Sequence, residues 1–98
     1  LSNDNSKNTV SDKFSLSTPF PNPFNANVSI PFFLPRFQHA LLQVYNTNGR
    51  IIETLVNQNL PSGTYQNNWN ATGQSTGIYI IKLTTSNFIE MKKILYLK

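Results

Sequence analysis

The chain has 98 residues, 39% of them hydrophobic and 12% charged, no cysteine, and a formal charge of +4 from eight Lys and Arg against four Asp and Glu. That length holds one domain; its apolar share is enough to offset the entropy of ordering, which excludes a disordered chain, and zero cysteines exclude a disulfide scaffold and a Cys-based zinc site. The basic residues are scattered apart from Lys92, Lys93 and Lys98, too thin for a nucleic-acid stripe, and runs such as Ile78-Tyr79-Ile80-Ile81 fall far short of the roughly 20 residues a membrane-spanning helix needs.

The first residue is Leu1 rather than Met, and no basic-then-apolar leader follows it, so the chain is expected to be a fragment of a longer precursor. Residues 1–13 are almost all small or polar with no hydrophobic period, which reads as a linker from an upstream domain. From Phe14 onward, residues 14–98 show short apolar runs separated by turn chemistry. Nowhere does a helical i, i+3, i+4, i+7 stripe last three turns.

Val28, Ile30, Phe32 and Leu34 alternate with Ser29, Pro31 and Phe33, a period of 2 that assigns one set to a core face. Pro31 has no N–H to donate, which predicts an edge strand or a bulge. Ala40, Leu42 and Val44 form the next inward set, ending at Asn46-Thr47-Asn48-Gly49, where Asn-Gly suits two central turn positions of positive φ and predicts a hairpin with 51–56 returning antiparallel. Leu60-Pro61-Ser62-Gly63 carries turn chemistry. A strand over 64–70 then sets Tyr65 and Trp69 on one face. Residues 77–84 put Tyr79, Ile81 and Leu83 on one side, Ser86-Asn87 turns the chain, and in the last strand, 88–98, Ile89, Met91, Leu95 and Leu97 share one parity. About seven short strands at roughly ten-residue intervals predict an all-β, Ig-like antiparallel sandwich.

Chemistry-bearing residues are few. His39 is the only histidine and falls in the polar connection Pro35-Arg36-Phe37-Gln38-His39, which reads as a solvated loop residue. Asp4 and Asp12 lie in the linker, leaving Glu53 and Glu90 on strands as solvent-facing charges. These supply no nucleophile–base pair, no carboxylate pair and no ligand cluster of recognisable spacing, and the glycines are isolated turn formers rather than a phosphate loop. An enzyme is therefore not expected, nor a metal or other cofactor. Exposed Trp69 and Tyr65 could stack on sugars in an accessory carbohydrate- or protein-binding module, but aromatics on alternating strands usually fill the core.

The run Pro19-Phe20-Pro21-Asn22-Pro23-Phe24-Asn25 resembles the "YPNPFNP" opening of the type A C-terminal sorting domains of type IX secretion, found on exported proteins of Bacteroidetes. Further blocks follow in that family's order. They are Leu42-Gln43-Val44-Tyr45 before Asn48-Gly49-Arg50, then Leu60-Pro61-Ser62-Gly63-Thr64-Tyr65, Trp69-Asn70-Ala71, Ser75-Thr76-Gly77-Ile78-Tyr79, and Lys92-Lys93-Ile94-Leu95-Tyr96-Leu97-Lys98. The resemblance covers residues 18–98. Phe20 stands where the motif has Tyr, Ala26 where it has its last Pro, and Asn67 where the family has an apolar strand residue. Facing the core with Tyr65 and Trp69, Asn67 must find a hydrogen-bond partner or lie near an edge.

The resemblance implies an address rather than a reaction. The domain would be recognised, folded, by an outer-membrane translocon; a sortase-like peptidase would remove it near the linker, and the cargo would pass from the periplasm to the cell surface or the medium. The signal is expected in Lys92, Lys93, Ile94, Leu95, Tyr96, Leu97 and Lys98, a basic edge strand open to strand addition, with Pro21, Asn22, Pro23, Gly49, Gly63 and Gly77 as structural determinants. The same turn and strand blocks also resemble the Ig-like domain of flagellar hook-capping proteins. Exposed edge strands could pair copies of the domain.

Overall fold

Period-2 alternation, interrupted by Gly, Pro and Asn, produces seven strands in the computed structural model, which describes residues 15–98. The expected linker, residues 1–13, lies outside the described residues. The strands are β1 (Ser15–Leu16), β2 (Asn27–Leu34), β3 (Gln38–Asn46), β4 (Ile51–Leu60), β5 (Gly63–Asn70), β6 (Gly77–Thr84) and β7 (Ile89–Tyr96). They form two antiparallel sheets, β1-β2-β5 and β4-β3-β6-β7. The sandwich expected from the sequence is the fold observed.

The core fills the space between the sheets. Val28, Ile30, Phe32 and Leu34 of β2 meet Ala40, Leu42 and Val44 of β3 and Tyr79, Ile81 and Leu83 of β6, all buried. Removing such side chains from water is the main favourable term, at roughly 1.5–3 kcal/mol each. One end is aromatic: Trp69 meets Tyr79 edge-on with centroids 5.2 Å apart, and Phe24 lies 5.9 Å from Trp69 and 5.1 Å from Tyr96. The Trp69 indole N–H donates to Glu53 Oε1 at 3.1 Å, so its polar edge is satisfied where it reaches the rim.

Pro31 sits without a bulge, because β2 pairs with β5 in unbroken register from Asn27↔Asn70 to Leu34↔Gly63. Its missing donor faces the other side of β2, where β1 is only two residues long and the Ser17 N–H donates to the Pro31 carbonyl at 3.0 Å. The expectation of an edge strand or a bulge is therefore corrected: β2 is the middle strand of its sheet, residues 15–20 cover that side with Phe20 and Ser29 exchanging N–H···O bonds at 3.0 and 2.8 Å, and the ladder needs only an acceptor at Pro31. Bulges occur instead in the β3–β4 pair, at Leu42/Gln43 and Val44/Tyr45.

The β3–β4 hairpin forms as expected but with a different turn. The Gly49 N–H donates to the Asn46 carbonyl at 3.0 Å. Gly49 has φ 81 while Asn48 does not share a positive φ. Thr47 and Asn48 are therefore the central residues, and Gly49 follows in the left-handed conformation that closes a three-residue hairpin. The Asn46 side chain fixes the loop, its Oδ1 accepting from the N–H groups of Asn48 and Arg50 at 2.9 and 3.0 Å.

Ala26 also departs from the usual backbone, with φ 76. A prolyl ring could not take that value, so the Ala found where the opening motif has its last Pro goes with a different local course. The Ala26 carbonyl there accepts the Ala71 N–H at 2.7 Å.

In β7 the shared parity of Ile89, Met91, Leu95 and Leu97 points outward. Of the inward residues, Glu90, Lys92, Ile94 and Tyr96, only Ile94 and Tyr96 join the core. At the Glu90 end β7 faces the two-residue strand β1, and Glu90 Oε1 accepts the Leu16 N–H at 3.0 Å.

Candidate recognition site on the last strand

β7 pairs with β6 along its whole length, Thr84↔Ile89 to Gly77↔Tyr96, and lies at the edge of its sheet. Its outer backbone groups belong to the odd-numbered residues. Between Lys93 and Leu97 they are already taken. The Leu95 N–H donates to Asn22 Oδ1 at 2.9 Å, and Asn22 Nδ2 donates to the Lys93 carbonyl at 3.3 Å. The Phe24 N–H donates to the Leu95 carbonyl and the Leu97 N–H to the Phe24 carbonyl, both at 2.9 Å. Asn22 thus uses its side-chain amide as one peptide unit of a neighbouring strand, and Phe24 continues the ladder through its backbone as a parallel bridge to Tyr96.

Pro21 and Pro23 flank this contact. Neither has an N–H, so neither competes with the Asn22 amide for the carbonyl acceptors of β7. Phe24 then anchors the segment by inserting its ring, fully buried, between Tyr96 and Trp69. The expectation of an edge open to strand addition along 92–98 is corrected accordingly. Only the first half of β7, around Met91, keeps outward backbone groups unpaired among the described residues.

The three lysines do not share a surface. Lys92 points to the inner side, with its Nζ 4.0 Å from Glu90 Oε2. Lys93 points to the outer face of the four-stranded sheet, and the Lys98 N–H donates to Thr76 Oγ1 at 3.3 Å. Lys93 is joined on its face by Lys82, whose Nζ lies 5.3 Å from the Tyr45 ring centroid. These two flank a shallow groove of about 460 Å³ lined also by Ile78, Ile80 and Met91.

The residues tested for chemistry remain apart. Glu53 on β4 and Glu90 on β7 stand at opposite edges of one sheet, each accepting a protein N–H. His39 lies on β3 rather than in a loop, exposed, with Nδ1 2.9 Å from Asn59 Oδ1 and Nε2 2.8 Å from Asn57 Oδ1 across the β3–β4 pair. Among the described residues no group of three His, Cys, Asp or Glu could hold a metal.

The sequence matches the model of the family described as "Secretion system C-terminal sorting domain" over residues 18–97. The chain belongs to that family. Its function is that of a sorting signal for type IX secretion. A search of curated proteins finds no match. The fold of this sorting domain is similar to part of the crystal structure of dimeric latent PorU from Porphyromonas gingivalis, with TM-score 0.60 and 14% identity over 86% of this chain and 9% of that one. At that identity the likeness concerns the fold alone.

In the sorting domain the family's blocks take distinct physical parts. Pro21, Asn22 and Pro23 serve the contact with β7, and Gly49 closes the β3–β4 hairpin. Gly63 begins β5 where the chain crosses from one sheet to the other, and Gly77, φ 152, begins β6 opposite Tyr96. Trp69 is in the core and Tyr65 is half-buried on Phe32 with centroids 5.4 Å apart, which corrects the reading that needs both as an exposed stacking platform. Asn67 faces inward as expected. It lies on an edge strand, yet its buried Nδ2 has no hydrogen-bond partner among the described residues. Sequence reasoning missed the outer-face group Tyr45, Ile78, Ile80, Lys82 and Met91. Its signal was Ile78-Tyr79-Ile80-Ile81, apolar on both parities, a pattern of strands covered on both faces.

Proposed function

We propose that the address read during type IX export is the composite end of the sandwich formed by Pro21, Asn22, Pro23 and Phe24 docked on Lys93, Ile94, Leu95, Tyr96 and Leu97, with Lys92 and Lys98 beside it. The observation that supports this is the continuous set of four hydrogen bonds by which Asn22 and Phe24 follow the β7 edge. It turns two segments from opposite ends of the domain into one surface that is the same whatever cargo is attached. The outer-membrane translocon binds that surface without a cofactor, and the domain performs no chemistry of its own. Strand addition by a partner is confined to the open edge around Met91. A sortase-like peptidase then separates domain from cargo in or near residues 1–13, whose small polar composition suits proteolysis. The cargo crosses the periplasm and ends on the cell surface or in the medium.

The test is a fusion of the full chain to a periplasmic reporter in a type IX-competent bacterium, beside the same fusion lacking residues 93–98. Export of the first and periplasmic retention of the second are expected. Surface display of the truncated fusion at the parental level would refute the role given to the last strand.

A further inference from the structure

The four-stranded sheet carries apolar side chains on both sides, the outer ones interspersed with Gln43, Lys82, Thr84 and Lys93. Its inner face supplies the core, and on its outer face the cross-strand neighbours Tyr45, Ile80 and Lys93 lie in one row, with Lys82 and Met91 in the next and Ile78 and Leu95 beyond Ile80. Met91 is 59% exposed, Ile89 60% and Ile78 41%. A sandwich strand facing water on its outer side alternates with polar residues. β6 puts only Lys82 and Thr84 there, and the apolar surface around them forms the groove described above. Contiguous exposed apolar surface of this kind marks a contact site.

Charge narrows what fits. Lys82 and Lys93 stand on this face, and neither strand carboxylate does: Glu53 is turned to the Trp69 indole and Glu90 to the Leu16 N–H. Resting on the reading that the folded domain is the recognised unit, we infer that the outer face of β3, β6 and β7 is the docking surface for a protein segment combining apolar side chains with Asp or Glu, the carboxylates meeting Lys82 and Lys93. A second copy of this chain fits less well, since it carries a net charge of +4 and brings lysines to lysines. A lipid surface also fits less well. Interfacial segments keep their basic residues on a polar face opposite the apolar one, whereas here Lys82 and Lys93 stand on the apolar face itself, Lys82 over the Tyr45 ring.

The experiment uses the full-chain reporter fusion and two double variants, Lys82→Glu with Lys93→Glu and Lys82→Arg with Lys93→Arg. Neither changes a core side chain, and the Lys93 carbonyl that accepts from Asn22 Nδ2 belongs to the backbone, so it is kept in both. Like charges facing each other in an interface cost several kcal/mol, so the glutamate pair is expected to lower export at least about tenfold, equivalent to about 1.4 kcal/mol, with an unchanged melting midpoint, while the arginine pair is exported normally. Parental export of a folded glutamate pair overturns the docking surface and leaves the sorting reading standing. A parent fusion that is not exported defeats the sorting reading and this inference with it. A parent dimer in sedimentation that the glutamate pair makes monomeric overturns the inference in favour of self-association. Flotation of the parent, but not the glutamate pair, with phosphatidylglycerol/phosphatidylethanolamine vesicles overturns it in favour of a membrane.

Discussion

Replacing Asn22 with Ala removes the one side chain that pairs with the β7 edge as a peptide unit would. Two hydrogen bonds are lost, at 2.9 and 3.3 Å, each worth about 0.5–1.5 kcal/mol net. Asn22 is exposed, so water reaches the freed Leu95 N–H and Lys93 carbonyl and the sum falls at the lower end, about 1–2 kcal/mol. The loss is local, because Phe24 still anchors the segment in the core. It is therefore best read by amide hydrogen exchange, in which the Leu95 amide is expected to lose protection by about 5- to 30-fold while Ile81 and Leu83 in the sheet centre change little. Asn22→Asp keeps an acceptor for the Leu95 N–H but sets an oxygen against the Lys93 carbonyl, and is expected to weaken protection as well. Parental protection of Leu95 in Asn22→Ala would refute the argument that the side chain closes this edge.

Three further outcomes are expected. Asn67→Leu removes a buried amide donor without a partner, a burden of about 1–3 kcal/mol, and is expected to raise the thermal midpoint by about 4–8 °C per kcal/mol gained; a fall in midpoint would contradict it. Phe24→Ala removes a fully buried ring stacked on Tyr96 and is expected to cost about 3–5 kcal/mol in chemical denaturation, enough to unfold much of a small domain. Ala26→Gly relieves a left-handed backbone and is expected to stabilise by about 0.5–1 kcal/mol after the entropy of glycine is counted. Ala26→Pro, which cannot reach φ 76, should instead destabilise the fold in the same melts.

Much of the sandwich was legible because its strands alternate. β2, β3 and β6 each carry apolar residues at every second position, so both their existence and their inward faces follow from period alone. β7 defeated that logic. Its apolar residues occupy both parities, and which set is buried depends on which face meets the opposite sheet, which no local pattern encodes. His39 was misplaced for a simpler reason: Pro35 and Arg36 end β2, but the next strand starts at Gln38, sooner than the polar composition suggested. At the recognition site, the opening and closing motifs were each visible through resemblance, but their mutual contact was not. A side-chain amide standing in for a strand leaves no periodic trace. The inward placement of Asn67 was readable; the unpartnered state of its Nδ2 was not, since satisfaction of a polar atom depends on neighbours brought from other strands.

The Asn22–Leu95 bond joins residues 73 positions apart. Contacts of such separation carry a loop-closure cost that the rest of the fold must offset. A polypeptide ending before Tyr96 would lack the partner on which Asn22 and Phe24 settle. On the reading proposed above, the opening motif by itself would therefore not display the address until the β7 edge is complete.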